Sequence, residues 1–230
     1  MSFVKGETVD GIRVLRLDHG KPNAISTDVA RTLIAELAQA EKDAKAIALF
    51  GRPGMFSGGF DLGVMKQGAG PAREMVKTGG QLIAAILDHP RPVVVGCTGH
   101  AIAMGVFLVM AADYRIGARG AFKLGLNETA IGMTLPAFAI ETTRLRLSKR
   151  HFARAVVQSE IYDPETAVDA GFLDRLAEPE ALEGEVLAVA RRLGELEPRA
   201  FRNNKRLAHG EVAERIRATL DANLDGLMKG

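Results

Sequence analysis

The sequence predicts an α/β fold in which parallel sheets are covered by helices, followed by a helical C-terminal region. Three observations carry this. Short apolar runs, at Ile12–Leu17, Ala46–Phe50 and the valines Val93, Val94 and Val95, alternate with segments whose apolar residues recur at helical spacing, the pattern of strands joined by crossover helices. Beyond Glu178 the strand signal ends, and charged residues interleave with Ala and Leu in amphipathic helices. The 230 residues, 47% of them hydrophobic, suffice for one sizeable core. The change in composition near Ala177 separates a core of residues 1–177 from a helical region of 178–230.

Taken in order, Ile12, Val14 and Leu17 mark the first strand, and residues 18–22 (DHGKP) a turn. Ser26 or Thr27 caps a helix with Asp28 in its first turn and Ala30, Leu33, Ile34 and Leu37 on one face. The strand at Ala46–Phe50 leads into FSGGFDL (56–62), where two adjacent glycines let the backbone turn sharply and approach a ligand. Met75, Gly79, Leu82, Ile83 and Ile86 give a second amphipathic helix. After the breaker HPRP (89–92) comes a buried strand, then a tight turn bracketed by Gly96, Gly99 and Gly105. Residues 106–112 are apolar on every face, as in a fully buried helix. Residues 114–116 and 122–124 read as short strands, and Pro136 opens a helix carrying Phe138, Ile140 and Leu145. Ser148 caps the next helix, with Phe152, Ala155 and Val156 inward. Asp163-Pro164-Glu165 opens another, which Gly171 closes.

Several function classes are excluded as expectations. A net charge of +2 points to neither nucleic acid nor an anionic membrane as the main partner. Cys97 is the sole cysteine, so no disulfide forms within the chain and a reducing cytoplasm fits. The N-terminal stretch MSFVKGETVDGIRV has no apolar h-region of a signal peptide. The apolar window 93–112 is broken by Thr98, Gly99 and His100, which argues against a membrane span. The five histidines are scattered, without H-x-x-x-H or C-x-x-C, so no metal is expected. His100 has no paired nucleophile at a motif offset, and Cys97 reads as core. The basic run from Arg144 to Arg154 reads as a solvated helix face.

A strand feeding a small-residue turn into a buried helix leaves free N–H groups at the helix start, where the dipole also favours negative charge. An oxyanion site would have one half here and its other half upstream, at the FSGGFDL turn, although most Gly-Gly pairs taken alone are ordinary turns. FSGGFDL followed by PVVVGCTGHAIAMGVFLVMAADYRI resembles the crotonase superfamily, the enoyl-CoA hydratase/isomerase family, whose pattern reads F-[CSA]-[AG]-G-x-D-L and then P-V-[IV]-A-x-[VI]-x-G-x-A-x-G-G-G-x-x-L-x-x-x-x-D-x-R-I. The resemblance extends from Val14 to about Leu176.

The resemblance implies a spiral of ββα units and a CoA thioester as substrate, with no other cofactor. Its donors fall on the N–H groups of Phe60 and of Met104, the middle of Ala103-Met104-Gly105, where the family has three glycines. A methionine there is expected to narrow the pocket. Gly58, Gly59, Asp61 and Leu62 lie in the substrate loop, Asp61 and Asp113 reading also as caps of turns and helix ends, and Ala24 belongs to Asn23-Ala24-Ile25-Ser26, which resembles the N-A-L-S lining the CoA cleft. Of the two glutamates of the family's hydratases, one position holds Phe107 and the other matches Glu128, four residues before Gly132. Phe107 cannot deprotonate water. One retained glutamate suffices for proton transfer between C2 and C4, and an apolar setting raises its pKa. The resemblance thus implies isomerase-type chemistry. The alternatives are a hydratase with an atypical second acid, Glu141 first, or a degenerate paralogue that binds acyl-CoA without chemistry. In the family, C-terminal basic residues reach the CoA phosphates, here Lys205 and its neighbours Arg199, Arg202 and Arg206, and the C-terminal region forms homotrimers or pairs of trimers.

Overall fold

A computed structural model describes residues 3–227; the two residues before and the three after, at the outer ends of the segments 1–177 and 178–230, lie outside the described residues. In chain order the elements are β1 (Val4–Val9), β2 (Ile12–Leu17), α1 (Thr27–Asp43), β3 (Ala46–Phe50), β4 (Gly54–Ser57), α2 (Leu62–Met65), α3 (Ala69–Leu87), β5 (Val93–Cys97), β6 (Gly99–Ile102) and α4 (Met104–Ala111). There follow β7 (Tyr114–Ala118), β8 (Leu124–Gly125), a 3₁₀ turn (Thr129–Ile131), α5 (Ala137–Arg146), α6 (Lys149–Val156), β9 (Ile161–Tyr162), α7 (Pro164–Ala170) and β10 (Arg175–Ala177). The last helices are α8 (Leu182–Gly194), α9 (Pro198–Lys205), a π-helical turn (Arg206–Gly210) and α10 (Glu211–Leu227).

The strands fall into two sheets. One has the order β1-β2-β3-β5-β7-β10, the other β4-β6-β8-β9. Among the described residues, only the strand pairs β1/β2 and β8/β9 are antiparallel. Successive passes of the chain lay β3 then β4, β5 then β6, and β7 then β8, one strand per sheet, and each pass returns through helix. This is the spiral of ββα units that the resemblance implies. Every residue of β3 and β5 is buried, because helices cover both faces of a parallel sheet. The larger apolar core lies under α1, α3 and α4; the smaller one, around Phe50, Ile116 and Val186, lies under α8 on the other face.

The stretch 96–105 is not one tight turn. The short strand β6 interrupts it, drawn so close to β4 that a Cβ on Gly99 would stand 2.1 Å from the carbonyl carbon of Gly54. The strand expected at 122–124 shrinks to Leu124 and Gly125, and the buried helix starts at Met104. Gly171 closes α7 in the left-handed conformation, as read. Helix α10 folds back along α3: Arg73 pairs with Asp221 at 2.9 Å and Asp225 at 2.8 Å, and Lys77 with Asp221 at 2.8 Å. No helix among the described residues is long and apolar enough to cross a membrane.

Candidate active site

Two loops meet where β4 and β6 end. Gly59 has φ +103°, and a Cβ there would stand 3.0 Å from Ala103 Cβ and 3.6 Å from the Met104 nitrogen. Ala103 itself has φ +52°, a conformation that strains a residue with a Cβ and that the family meets with glycine. Gly105 has no room for a side chain, since a Cβ would stand 2.3 Å from the Ser57 carbonyl oxygen. These contacts bring the Phe60 and Met104 N–H groups together at the N-terminus of α4. Neither has a hydrogen-bond partner among the described residues. Their neighbours are occupied: the Gly59 N–H donates to Ser57 Oγ at 3.2 Å and the Ala103 N–H to the Gly125 carbonyl at 3.0 Å. Two free donors side by side at a buried helix start can hold a developing oxyanion.

The segment containing Ala24 backs this loop. Ile25 donates to the Gly59 carbonyl at 2.8 Å and accepts from Asp61 at 3.1 Å, while Asn23 Nδ2 donates to the Phe56 carbonyl at 2.8 Å. Gly58 lies against Pro22, to whose carbonyl its N–H donates at 2.8 Å. Asp61 caps α2 through the Gly63 N–H at 2.7 Å, and Leu62 stands 65% exposed beside it.

A cavity of about 570 Å³ opens beyond the loops, walled by Phe60, Phe107, Phe138, Met133 and Leu224 among others. Glu128 is the only carboxylate on its wall among the described residues. Glu128 precedes the 3₁₀ turn, which is tied to the end of α6 by Thr129 Oγ1 donating to the Val156 carbonyl (3.3 Å) and Ser159 Oγ accepting from the Ala130 N–H (3.1 Å). Its Oε2 is buried with no hydrogen-bond partner among the described residues. Burial pushes its carboxyl up to about 7, the N–H groups of Glu128 and Asn127 opposing in part. Phe107, fully buried and edge-on to Phe138 at 5.9 Å, lines the same cavity with a ring that can neither give nor take a proton.

The structure thus brings together Phe60, Phe107 and Glu128 around one cavity, and the Met104 nitrogen lies against Gly59, the residue before Phe60. It corrects one expectation: Met104 does not narrow the pocket. Its side chain is fully buried, and Cε points at Gly79 of α3 rather than into the cavity. Glu141 does not line the cavity and pairs with Arg215 at 3.4 Å. Lys205 lies apart too. Its ammonium, 4% exposed, pairs with Asp113 at 2.6 Å on the wall of a different cavity. Asp113 also accepts from the Val93 N–H at 2.8 Å, so it ties α9 and β5 together. His100 accepts from the Lys123 N–H, and Cys97 is buried in the core. Leu224 was not legible as a cavity residue, because it reaches the wall only through the fold-back of α10.

Comparison with known proteins bears on the fold and the family. The family model for enoyl-CoA hydratase/isomerase matches residues 7–229. Among solved structures, an enoyl-CoA hydratase/isomerase family protein from Pseudomonas syringae superposes with a TM-score of 0.90 at 43% identity, over 99% of this chain and 97% of that one. An enoyl-CoA isomerase of Mycobacterium tuberculosis superposes with a TM-score of 0.91 at 36% identity, over 97% and 98%. A probable enoyl-CoA hydratase of Mycobacterium avium is 28% identical over 186 residues, 79% of this chain and 72% of its own length. Relatives thus carry both names, hydratase and isomerase. With the ββα spiral, the paired free N–H groups and a family match over nearly its whole length, this chain belongs to the enoyl-CoA hydratase/isomerase family of the crotonase superfamily.

Proposed function

We propose that this enzyme moves a double bond in an enoyl-CoA thioester rather than adding water to it. The observation that carries the reading is the single carboxylate of the cavity among the described residues: Glu128, raised to about 7, faces walls that are apolar except for Thr134 and for Arg73, whose guanidinium pairs with Asp221 and Asp225, with Phe107 where a hydratase needs a second acid. In a 3-enoyl-CoA, the ionised Glu128 removes a proton from C2. The C–H electron pair enters the conjugated system and places charge on the thioester oxygen, which the Phe60 and Met104 N–H groups hold. Glu128, now protonated, returns that proton at C4, giving the 2-enoyl-CoA with the carboxylate restored. No water is consumed and one group is both base and acid. Each N–H donor contributes about 3–4 kcal/mol to lowering such a barrier.

The test compares two substrates on the wild type. Isomerisation of a 3-enoyl-CoA with slow hydration of crotonyl-CoA is the expected result. Brisk hydration would overturn it and direct attention to another acid. The same proposal takes the chain as a homotrimer or pair of trimers. Leu196, 48% exposed on the wall of a cavity that Phe201 also lines, and Leu207, 81% exposed in the π-helical turn, support an apolar contact surface in the C-terminal region. A monomer by light scattering at micromolar concentration would overturn that part alone.

A further inference from the structure

Helix α3 carries two adjacent glycines in its interior, and each lacks a side chain for its own reason. A Cβ on Gly79 would stand 2.6 Å from Phe60 Cζ, 2.7 Å from Phe60 Cε1 and 3.4 Å from Met104 Cε. A Cβ on Gly80 would stand 2.5 Å from Leu220 Cδ2 and 2.9 Å from Phe138 Cδ1. Interior glycines weaken a helix relative to alanine, so the doublet gives up helix stability for close approach. What approaches Gly79 is specific. The two side chains seated on it belong to the two residues whose N–H groups form the oxyanion site.

Both donors follow a residue with positive φ, Gly59 at +103° and Ala103 at +52°. The peptide planes that carry the N–H groups are pressed together on one side, where a Gly59 Cβ would stand 3.0 Å from Ala103 Cβ. On the other side the Phe60 ring and the Met104 thioether reach across to α3. We propose that Gly79 is a positioning residue for the oxyanion site: its bare Cα is the floor on which the Phe60 and Met104 side chains rest, and it thereby sets the spacing and direction of their N–H groups. The inference rests on the oxyanion reading proposed above. It assigns Gly80 a separate duty, seating Phe138 of the acyl cavity and Leu220 of α10. Donor direction matters because a preorganised N–H stabilises the developing oxyanion only at the distance and angle it was built for.

The experiment uses full-length wild type, Gly79→Ala, Gly80→Ala and the double variant Gly79→Ala with Phe60→Leu. Each is titrated with an arylacryloyl-CoA, whose absorption moves to longer wavelength when N–H donors polarise the thioester carbonyl. The kcat and KM for 3-enoyl-CoA isomerisation are measured in parallel. Gly79→Ala is expected to bind the probe without its red shift and to lose about 10²-fold in kcat with KM nearly unchanged, the signature of an interaction made in the transition state. Gly80→Ala adds the same Cβ to the same helix, and is expected to raise KM while keeping the red shift. Leucine at position 60 ends short of the added Cβ and retains its N–H, so the double variant recovers the red shift and most of kcat.

A full red shift in Gly79→Ala overturns the inference, as does a kcat loss that Phe60→Leu does not relieve. Absence of a red shift in the wild type is a different outcome and overturns the oxyanion reading itself. Should Gly79→Ala not fold, the double variant decides: folded with the red shift it supports the assignment, folded without it or unfolded it overturns it, because the ring would then not be what the added Cβ meets.

Discussion

Glu128 and Lys205 each bring an ionisable group into the interior, each on the wall of a cavity, of about 570 Å³ for the first and 470 Å³ for the second. Their surroundings differ in one respect. The Lys205 ammonium meets Asp113 at 2.6 Å and lies 5.8 Å from the centre of the Phe201 ring; desolvation lowers its pKa and Asp113 opposes the shift. Glu128 Oε2 has no partner among the described residues, and desolvation carries its carboxyl up to about 7. A buried charge paired within the chain holds elements together, here α9 to the α4–β7 junction. A buried carboxyl left unpaired costs the fold, and such groups cluster where a substrate supplies what the protein withholds. On the proposed mechanism, pairing rather than burial separates the group that holds elements together from the group that carries the proton.

The sharpest way to break this comparison is to remove each group in turn. Glu128→Gln keeps volume and hydrogen-bonding capacity but cannot carry the proton. Isomerisation is expected to fall about 10²–10⁴-fold while acyl-CoA affinity holds, because binding rests on backbone N–H groups and apolar walls. An unchanged rate would remove Glu128 from the mechanism. Lys205→Met should do the reverse. It leaves Asp113 buried without its counter-charge, and unfolding free energy is expected to drop by about 3–5 kcal/mol while kcat of the folded protein stays put. Adding Asp113→Asn should return part of that stability. A Lys205→Met protein of full stability with a raised KM for acyl-CoA would instead return Lys205 to the CoA site.

The contrast also shows what the sequence made legible. The meeting of the two loops could be read because Gly59 and Gly105 are backbone requirements fixed by spacing, and the place of Glu128 on the cavity wall because it lies four residues from Gly132. Lys205 could not be placed, since its partner Asp113 is 92 residues away and no local pattern links them. The direction of the Met104 side chain depends on Gly79 in another element, and so escaped the reading of the glycine triplet. Strand β1 was missed because only Val4 of its six residues is buried, leaving no alternation to detect. Contacts between distant segments escaped the sequence, and so did local elements such as β1 and β6 that are too short or too exposed to leave a pattern.

A smaller effect follows from the same unpaired carboxyl. The folded pKa of Glu128, about 7, lies above its ordinary 4.5. Between those values the folded protein holds a proton that the unfolded chain has released. The group's contribution is therefore fully present below about pH 4.5 and lost as pH rises through about 7. Glu128→Gln does not titrate. On going from pH 4 to pH 8, wild type is expected to lose about 2–3 kcal/mol relative to that variant. Urea unfolding of both at the two pH values measures the gap. A constant gap would mean the carboxyl is not held up by burial.

The smallest expected effect concerns the cause of that raised pKa. If apolar walls set it, softening one wall should lower it, and Phe107 shares the cavity with Glu128 while leaving the backbone of the 3₁₀ turn untouched. Wild-type kcat/KM for isomerisation is expected to rise with pH through an inflection near 7, as Glu128 becomes the carboxylate base. Phe107→Asn replaces a ring with a shorter dipolar side chain and opens polar space into which water can enter. The inflection should then move down by about one pH unit, equivalent to about 1.4 kcal/mol of better solvation for the charged form. Lys205→Met, across the molecule, should leave it in place. An inflection that stays near 7 in Phe107→Asn would shift the cause from the cavity wall to the packing of the 3₁₀ turn against α6, and Ser159→Ala, which frees the Ala130 N–H at that contact, would then be the variant that moves it.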